Sequence, residues 1–202
     1  MGTGHDHGPG RTLTATGRYR GRLATVLVIT VGIAVAEVCG ALVSGSLVLL
    51  ADAAHVAADA AGVGLSLLAA YVAARPASDR WTFGYARAEI LAATVNALLL
   101  LGLAVFILVE AARRLASPPT VEPGVMIAFG AVALAGNGIS LLLLRHGQAE
   151  SLNVRGAFLE VASDTFGAIA VIGTGIVIAA TGFTLMDPIA SLAVALLILP
   201  RT

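Results

Sequence analysis

Apolar residues run almost unbroken through most of this chain, interrupted by short polar links. Six apolar stretches emerge, at residues 23–43, 46–74, 90–109, 125–144, 156–181 and 183–200. The first five each supply the ~20 residues that cross ~30 Å of hydrocarbon at 1.5 Å per residue. The sixth is shorter. The runs are too long for the roughly ten-residue alternating strands of a membrane barrel. In lipid the remaining way to satisfy the backbone is the helix. The pattern therefore predicts an all-α membrane protein of six transmembrane helices. A polar N-terminal tail, residues 1–22, precedes a membrane domain at residues 23–202. The first apolar run leads into too many others to be a cleaved signal peptide.

Composition agrees. Hydrophobic residues make up 58% of the 202 residues and charged residues 12%, against about 25% charged in an ordinary soluble domain. That is too little charge to coat a water-soluble globule, which excludes a soluble enzyme and a nucleic-acid binder. The net charge is zero, and every basic residue is arginine. Position is more informative than the total. Arg11, Arg18, Arg20 and Arg22 precede span one, and Arg75, Arg80 and Arg87 separate spans two and three. Arg145 and Arg155 separate spans four and five, and Arg201 follows span six; only Arg113 and Arg114 fall on the other side. The positive-inside rule then places both termini in the cytoplasm, in a multi-pass protein of the cell membrane. The single cysteine, Cys39, permits no intramolecular disulfide.

Several ionisable residues interrupt the apolar runs: Glu37 in span one, Asp52, His55 and Asp59 in span two, and Glu160 and Asp164 in span five. Such groups are expensive in a bilayer and mark a cavity or pathway. Residues 52, 55 and 59 are three and four apart, which places them on one helix face; Glu160 and Asp164 are four apart. The two spans also match each other. Span two reads His55-x-x-x-Asp59-x-x-Gly62, and span five reads Glu160-x-x-x-Asp164-x-x-Gly167. Polar segments in corresponding positions point to a transporter's substrate site. Asp59 lies about 22 Å of helix from residue 74, and Asp164 about 18 Å from residue 152, so both pairs fall near mid-membrane.

His55, Asp59, Glu160 and Asp164 thus form a candidate metal site of one imidazole and three carboxylates, donors that suit zinc. Glu37 and Asp52 are candidate path-lining residues. Protons and metal compete for such ligands, which would couple metal movement one way to proton movement the other. Other polar residues carry blander expectations. Asp187, ahead of Pro188, reads as an N-cap with proline at the first helical position. Glu89 reads as an interfacial partner of Arg87, Asn137 and Ser140 as interhelical hydrogen-bond partners, and Arg113–Arg114 as an interface marker. His5, His7 and His146 are candidate loose metal contacts. Two other function classes compete: a membrane-embedded metal-dependent hydrolase, and a structural subunit whose polar residues only hold helices together. The zinc-protease pattern His-Glu-x-x-His is missing, and the reading is of a non-enzyme without a cofactor, its metal being cargo.

Four segments carry a family resemblance: SGSLVLLADAAHVAAD at 44–59, FGYARAE at 83–89, LNVRGAF at 152–158 and DPIAS at 187–191. From Glu37 to Leu199 the chain resembles the cation diffusion facilitators, proton-coupled metal exporters that include the eukaryotic zinc transporters. The resemblance implies a six-helix domain, usually a homodimer, that exports divalent cations by alternating access. It implies a metal site at His55, Asp59 and Asp164 and at the position of Glu160. The family commonly has histidine where this chain has Glu160. The added carboxylate hardens the site, so cadmium, cobalt, manganese or iron join zinc as candidate cargo. The family usually adds a metal-binding cytoplasmic C-terminal domain that helps dimerisation. This sequence stops at Thr202, directly after span six, and is expected to be the membrane domain without it.

Overall fold

The computed structural model describes residues 15–73 and 87–198. They form six helices: α1 (Ala15–Ser44), α2 (Leu47–Ala73), α3 (Arg87–Ala116), α4 (Pro123–Leu144), α5 (Leu152–Thr181) and α6 (Met186–Ile198). No strand occurs among the described residues. Five of the helices are long and apolar enough to cross a membrane, and α6 is a shorter apolar helix. The expected helical membrane fold is therefore present.

The helix bounds differ from the apolar runs in an instructive way. Helix α1 begins at Ala15, eight residues before the apolar run, so Arg18, Arg20 and Arg22 lie in helix rather than in a polar tail. Arg22 stacks its guanidinium 5.5 Å from the Tyr19 ring centroid, a cation–π contact suited to a helix end. Helix α3 likewise runs on through Arg113 and Arg114, and α5 starts at Leu152. Hydropathy marks the stretch that suits hydrocarbon, whereas the helix continues until a turn stops it. Helix α6 starts three residues later than expected, because Phe183–Leu185 is used in the turn after Gly182.

Two glycines make the tight turns. Gly45 (φ +71°) ends α1, and α2 begins two residues later; Gly182 (φ +70°) caps α5, its N–H donating to Ile178 O at 2.8 Å. The left-handed conformation is costly for a residue with a Cβ. Pro123 opens α4, where its missing N–H is not needed.

Packing runs around the bundle. Helix α1 lies between α2 and α4, α4 packs most extensively on α5, and α6 sits against α3, α2 and α5. Small residues let backbones approach: a Cβ at Gly40 would stand 2.5 Å from Phe129 Cγ, and one at Gly136 would stand 2.8 Å from Ile33 Cδ1. The main core draws on all six helices through Ala41, Val48, Leu100, Ile107, Met126, Val171 and Ala195. A second cluster, with Tyr19, Leu144, Val154 and Val161, closes the other end between α1, α4 and α5. Large apolar side chains such as Val28, Leu42, Leu98, Leu142 and Phe166 face outward, as a lipid-facing surface requires. Helices α2 and α5 touch only sparingly across the interior. His55, Asp59 and Asp164 come together between these two helices.

Candidate metal site

Three of the four expected ligands converge. Ligand atoms of His55 and Asp59 on α2 and of Asp164 on α5 all lie within 4.8 Å of one another. His55 and Asp164 are buried and Asp59 is half-buried. His55 Nε2 stands 3.5 Å from Asp59 Oδ2 across one helical turn. One cation centred among such atoms could bind all three after small side-chain adjustments, since zinc takes nitrogen and oxygen at about 2.0–2.2 Å. Glu160 is half-buried one turn before Asp164 on α5 and falls outside that trio.

Glu37 and Asp52 adjoin the trio and are both buried. Asp52 stands one turn before His55 on α2, and Glu37 Oε2 is buried without a hydrogen-bond partner. Asp52 also lies against the backbone of Gly167: a Cβ there would collide with Asp52 Oδ1 and stand 2.9 Å from Asp52 Cγ. Gly62, the matching glycine of α2, makes the same kind of room for Asn96 of α3, whose Oδ1 would stand 2.8 Å from an added Cβ. The glycine in each copy of the internal pattern thus admits a polar side chain from a neighbouring helix. Sequence reasoning noted these glycines but not what they admit; their shared offset from Asp59 and Asp164 was the available signal.

Two polar assignments are corrected. Asp187 does not cap its own helix. It is the second residue of α6, is fully buried, and reaches back to the start of α2. Its Oδ1 accepts from Ser46 Oγ at 2.6 Å and Val48 N at 3.2 Å, and its Oδ2 accepts from Leu47 N at 2.8 Å. Arg114 is more than an interface marker. Its Nη1 donates to Gly45 O at 2.5 Å and lies 3.7 Å from Asp187 Oδ2, while its Nε donates to Glu110 at 3.1 Å. Arg113 fits the original expectation better, exposed and 3.9 Å from Glu110. Asn137 and Ser140 are buried on one face of α4, but Ser140 Oγ takes no hydrogen bond.

His146 is exposed in the turn after α4. His5, His7, Arg11, Arg75, Arg80 and Arg201 lie outside the described residues, as do residues 83–86 and the side chains of Arg87 and Glu89.

A largely buried polar trio shared by two apolar helices is an arrangement that could hold a metal ion. Residues 23–202 match the cation efflux transmembrane domain, and the chain belongs to that family, one of transporters rather than enzymes. Among its relatives is the metal cation efflux system protein CzcD of Cupriavidus metallidurans, 44% identical over all of this chain and 62% of its own length. The zinc transporter ZitB of Escherichia coli is 42% identical over 88% of this chain and 57% of its own. The cadmium, cobalt and zinc/H(+)-K(+) antiporter of Bacillus velezensis is 35% identical over 98% and 62%. The chain thus spans about three fifths of the length of these curated relatives. Family and apolar helices together make it a multi-pass protein of the cell membrane.

Proposed function

We propose that this chain forms the membrane pathway of a proton-coupled antiporter that exports a divalent transition metal, zinc foremost, with cadmium, cobalt, manganese and iron as alternatives. The observation that carries the proposal is the convergence of His55, Asp59 and Asp164 between two sparingly packed helices. Glu160 is the fourth ligand of the loaded site. The ion bridges α2 and α5, and alternate exposure of the gap to either side moves it across the membrane.

Proton coupling follows from the ligand chemistry. Three carboxylates and a neutral imidazole carry three negative charges in the empty site, an arrangement that low dielectric penalises. The site is therefore filled either by a dication or by protons, and each expels the other. The arginine distribution supports cytoplasmic termini, with the α1–α2 turn facing outward. The names of the zinc-transporting and antiporting relatives support the cargo and the coupling. The family resemblance supports a homodimer in the lipid bilayer.

The test is zinc flux into proteoliposomes under an imposed pH gradient. Wild type transports, His55→Ala and Asp164→Ala lose most of the flux, and collapsing the gradient slows the wild type. Equal flux in all three proteins removes the assigned site; wild-type flux indifferent to the gradient removes the proton coupling.

A further inference from the structure

The first N–H groups of a helix have no partner within the helix, and inside a membrane protein water is a poor substitute. At the start of α2 every one of them is satisfied by side chains. Leu47 N and Val48 N donate to Asp187, and Leu49 N donates to Ser46 Oγ at 3.2 Å. Ser46 Oγ in turn donates to Asp187 at 2.6 Å, and Ser46 N donates to Ser44 Oγ at 3.2 Å. Asp187 is thus a helix cap supplied by another helix, 140 residues away from Leu47. Its negative charge sits at the positive end of the α2 dipole. Arg114 of α3 balances it, and the same guanidinium holds Gly45 O in the α1–α2 turn. Glu122 N, just ahead of α4, donates to Ser44 O at 2.9 Å.

One fully buried carboxylate therefore fastens the beginning of α2 to α6, with α3 and the end of α1 tied into the same knot. Two turns further along α2, on the same face as Val48, comes His55, and one turn beyond that comes Asp59. The lever is short, about 10 Å from Val48 to His55, and an α-helix transmits rotation and axial shift over that length.

We infer that Asp187 is a positioning residue for the cation site: held in α6, it sets the height and rotation of α2 and so aims His55 and Asp59 at Asp164. This rests on the proposed function of that trio. The amide of Asp187→Asn keeps one acceptor oxygen where three donors now share two, and it drops the charge that Arg114 and the helix end face. A ligand displaced by an ångström loses much of its value, so binding of the ion should weaken while the cycle itself still turns.

The experiment measures equilibrium zinc binding by calorimetry and the KM and Vmax of zinc uptake in proteoliposomes, using the full 202-residue chain. In folded Asp187→Asn the zinc dissociation constant and KM rise roughly tenfold, with Vmax changed by less than about twofold. Ser46→Ala, which removes the 2.6 Å donor to Asp187 and the acceptor of Leu49 N, shifts both in the same direction by roughly threefold, and carries the test if Asp187→Asn does not fold. Arg113→Gln, outside the knot, leaves both unchanged. Unchanged affinity and KM in the folded variants overturn the inference, as does a fall in Vmax at constant KM. A parallel His55→Ala arm separates the two readings. If His55→Ala loses zinc binding while the Asp187 and Ser46 variants keep it, only the positioning role fails; if His55→Ala binds like wild type, the site assignment itself fails.

Discussion

Gly167 offers a direct test of how tightly the interior is built around Asp52. A methyl group there collides with Asp52 Oδ1, whereas one at Gly173, on the same helix, meets nothing within 4 Å. Both substitutions to alanine gain the same helix preference, about 0.8–1.0 kcal/mol. Gly173→Ala should keep that gain. Gly167→Ala must also displace a buried carboxyl group, and overpacking of this kind costs about 1–3 kcal/mol. The net effect at Gly167 runs from neutral to a loss of about 2 kcal/mol, and the gap between the two variants is the crowding alone. At about 2–4 °C per kcal/mol for a chain of this length, the gap is several degrees in Tm, readable by thermal unfolding in detergent. A cycle with Asp52→Ala locates the clash, because removing the side chain should erase the penalty, whereas Asp52→Asn, of equal size, should not. If Gly167→Ala melts at or above Gly173→Ala, or if Asp52→Asn relieves it fully, the steric account is wrong.

Gly40→Ala should destabilise the bundle by about 1–3 kcal/mol, because the Phe129 ring and its Cβ, at 2.5–2.8 Å from the added carbon, have little freedom to withdraw; a melting temperature at or above wild type would show that α1 and α4 are packed more loosely than described. Glu160→His exchanges a hard oxygen for an imidazole and should shift the metal ranking towards zinc. An unchanged ranking across zinc, cadmium, cobalt and manganese in competition uptake would count against Glu160 as a ligand.

How much could be read beforehand depended on how far apart in sequence the partners lie. The helices and the pairing of His55 with Asp59 were legible, because they rest on runs of about twenty residues and on a four-residue spacing. That Asp164 would join them followed from the matching pattern in the two spans. Helix ends were read less well. Arg18, Arg20, Arg113 and Arg114 are unwelcome in hydrocarbon, yet α1 and α3 include them. Asp187 was misread for a different reason. An aspartate before proline is a local capping signal, and nothing in the sequence reveals that α6 will lie beside the start of α2. The placing of Asp52 against Gly167 likewise depends on the mutual rotation of α2 and α5, which periodicity leaves undetermined.

The sparse contact between α2 and α5 has a consequence for stability. The main apolar core includes residues of both helices, Val48 and Leu49 of α2 and Val171 and Ile178 of α5, and beside it His55, Asp59 and Asp164 bring a cluster of charged and polar groups together. A bound dication would act there as a removable rivet, drawing the two walls together with a strength that apolar packing does not supply. Whatever binds the folded form stabilises it, so under the proposed function cargo and architecture are linked: an ion held by both helices would add stability where they meet.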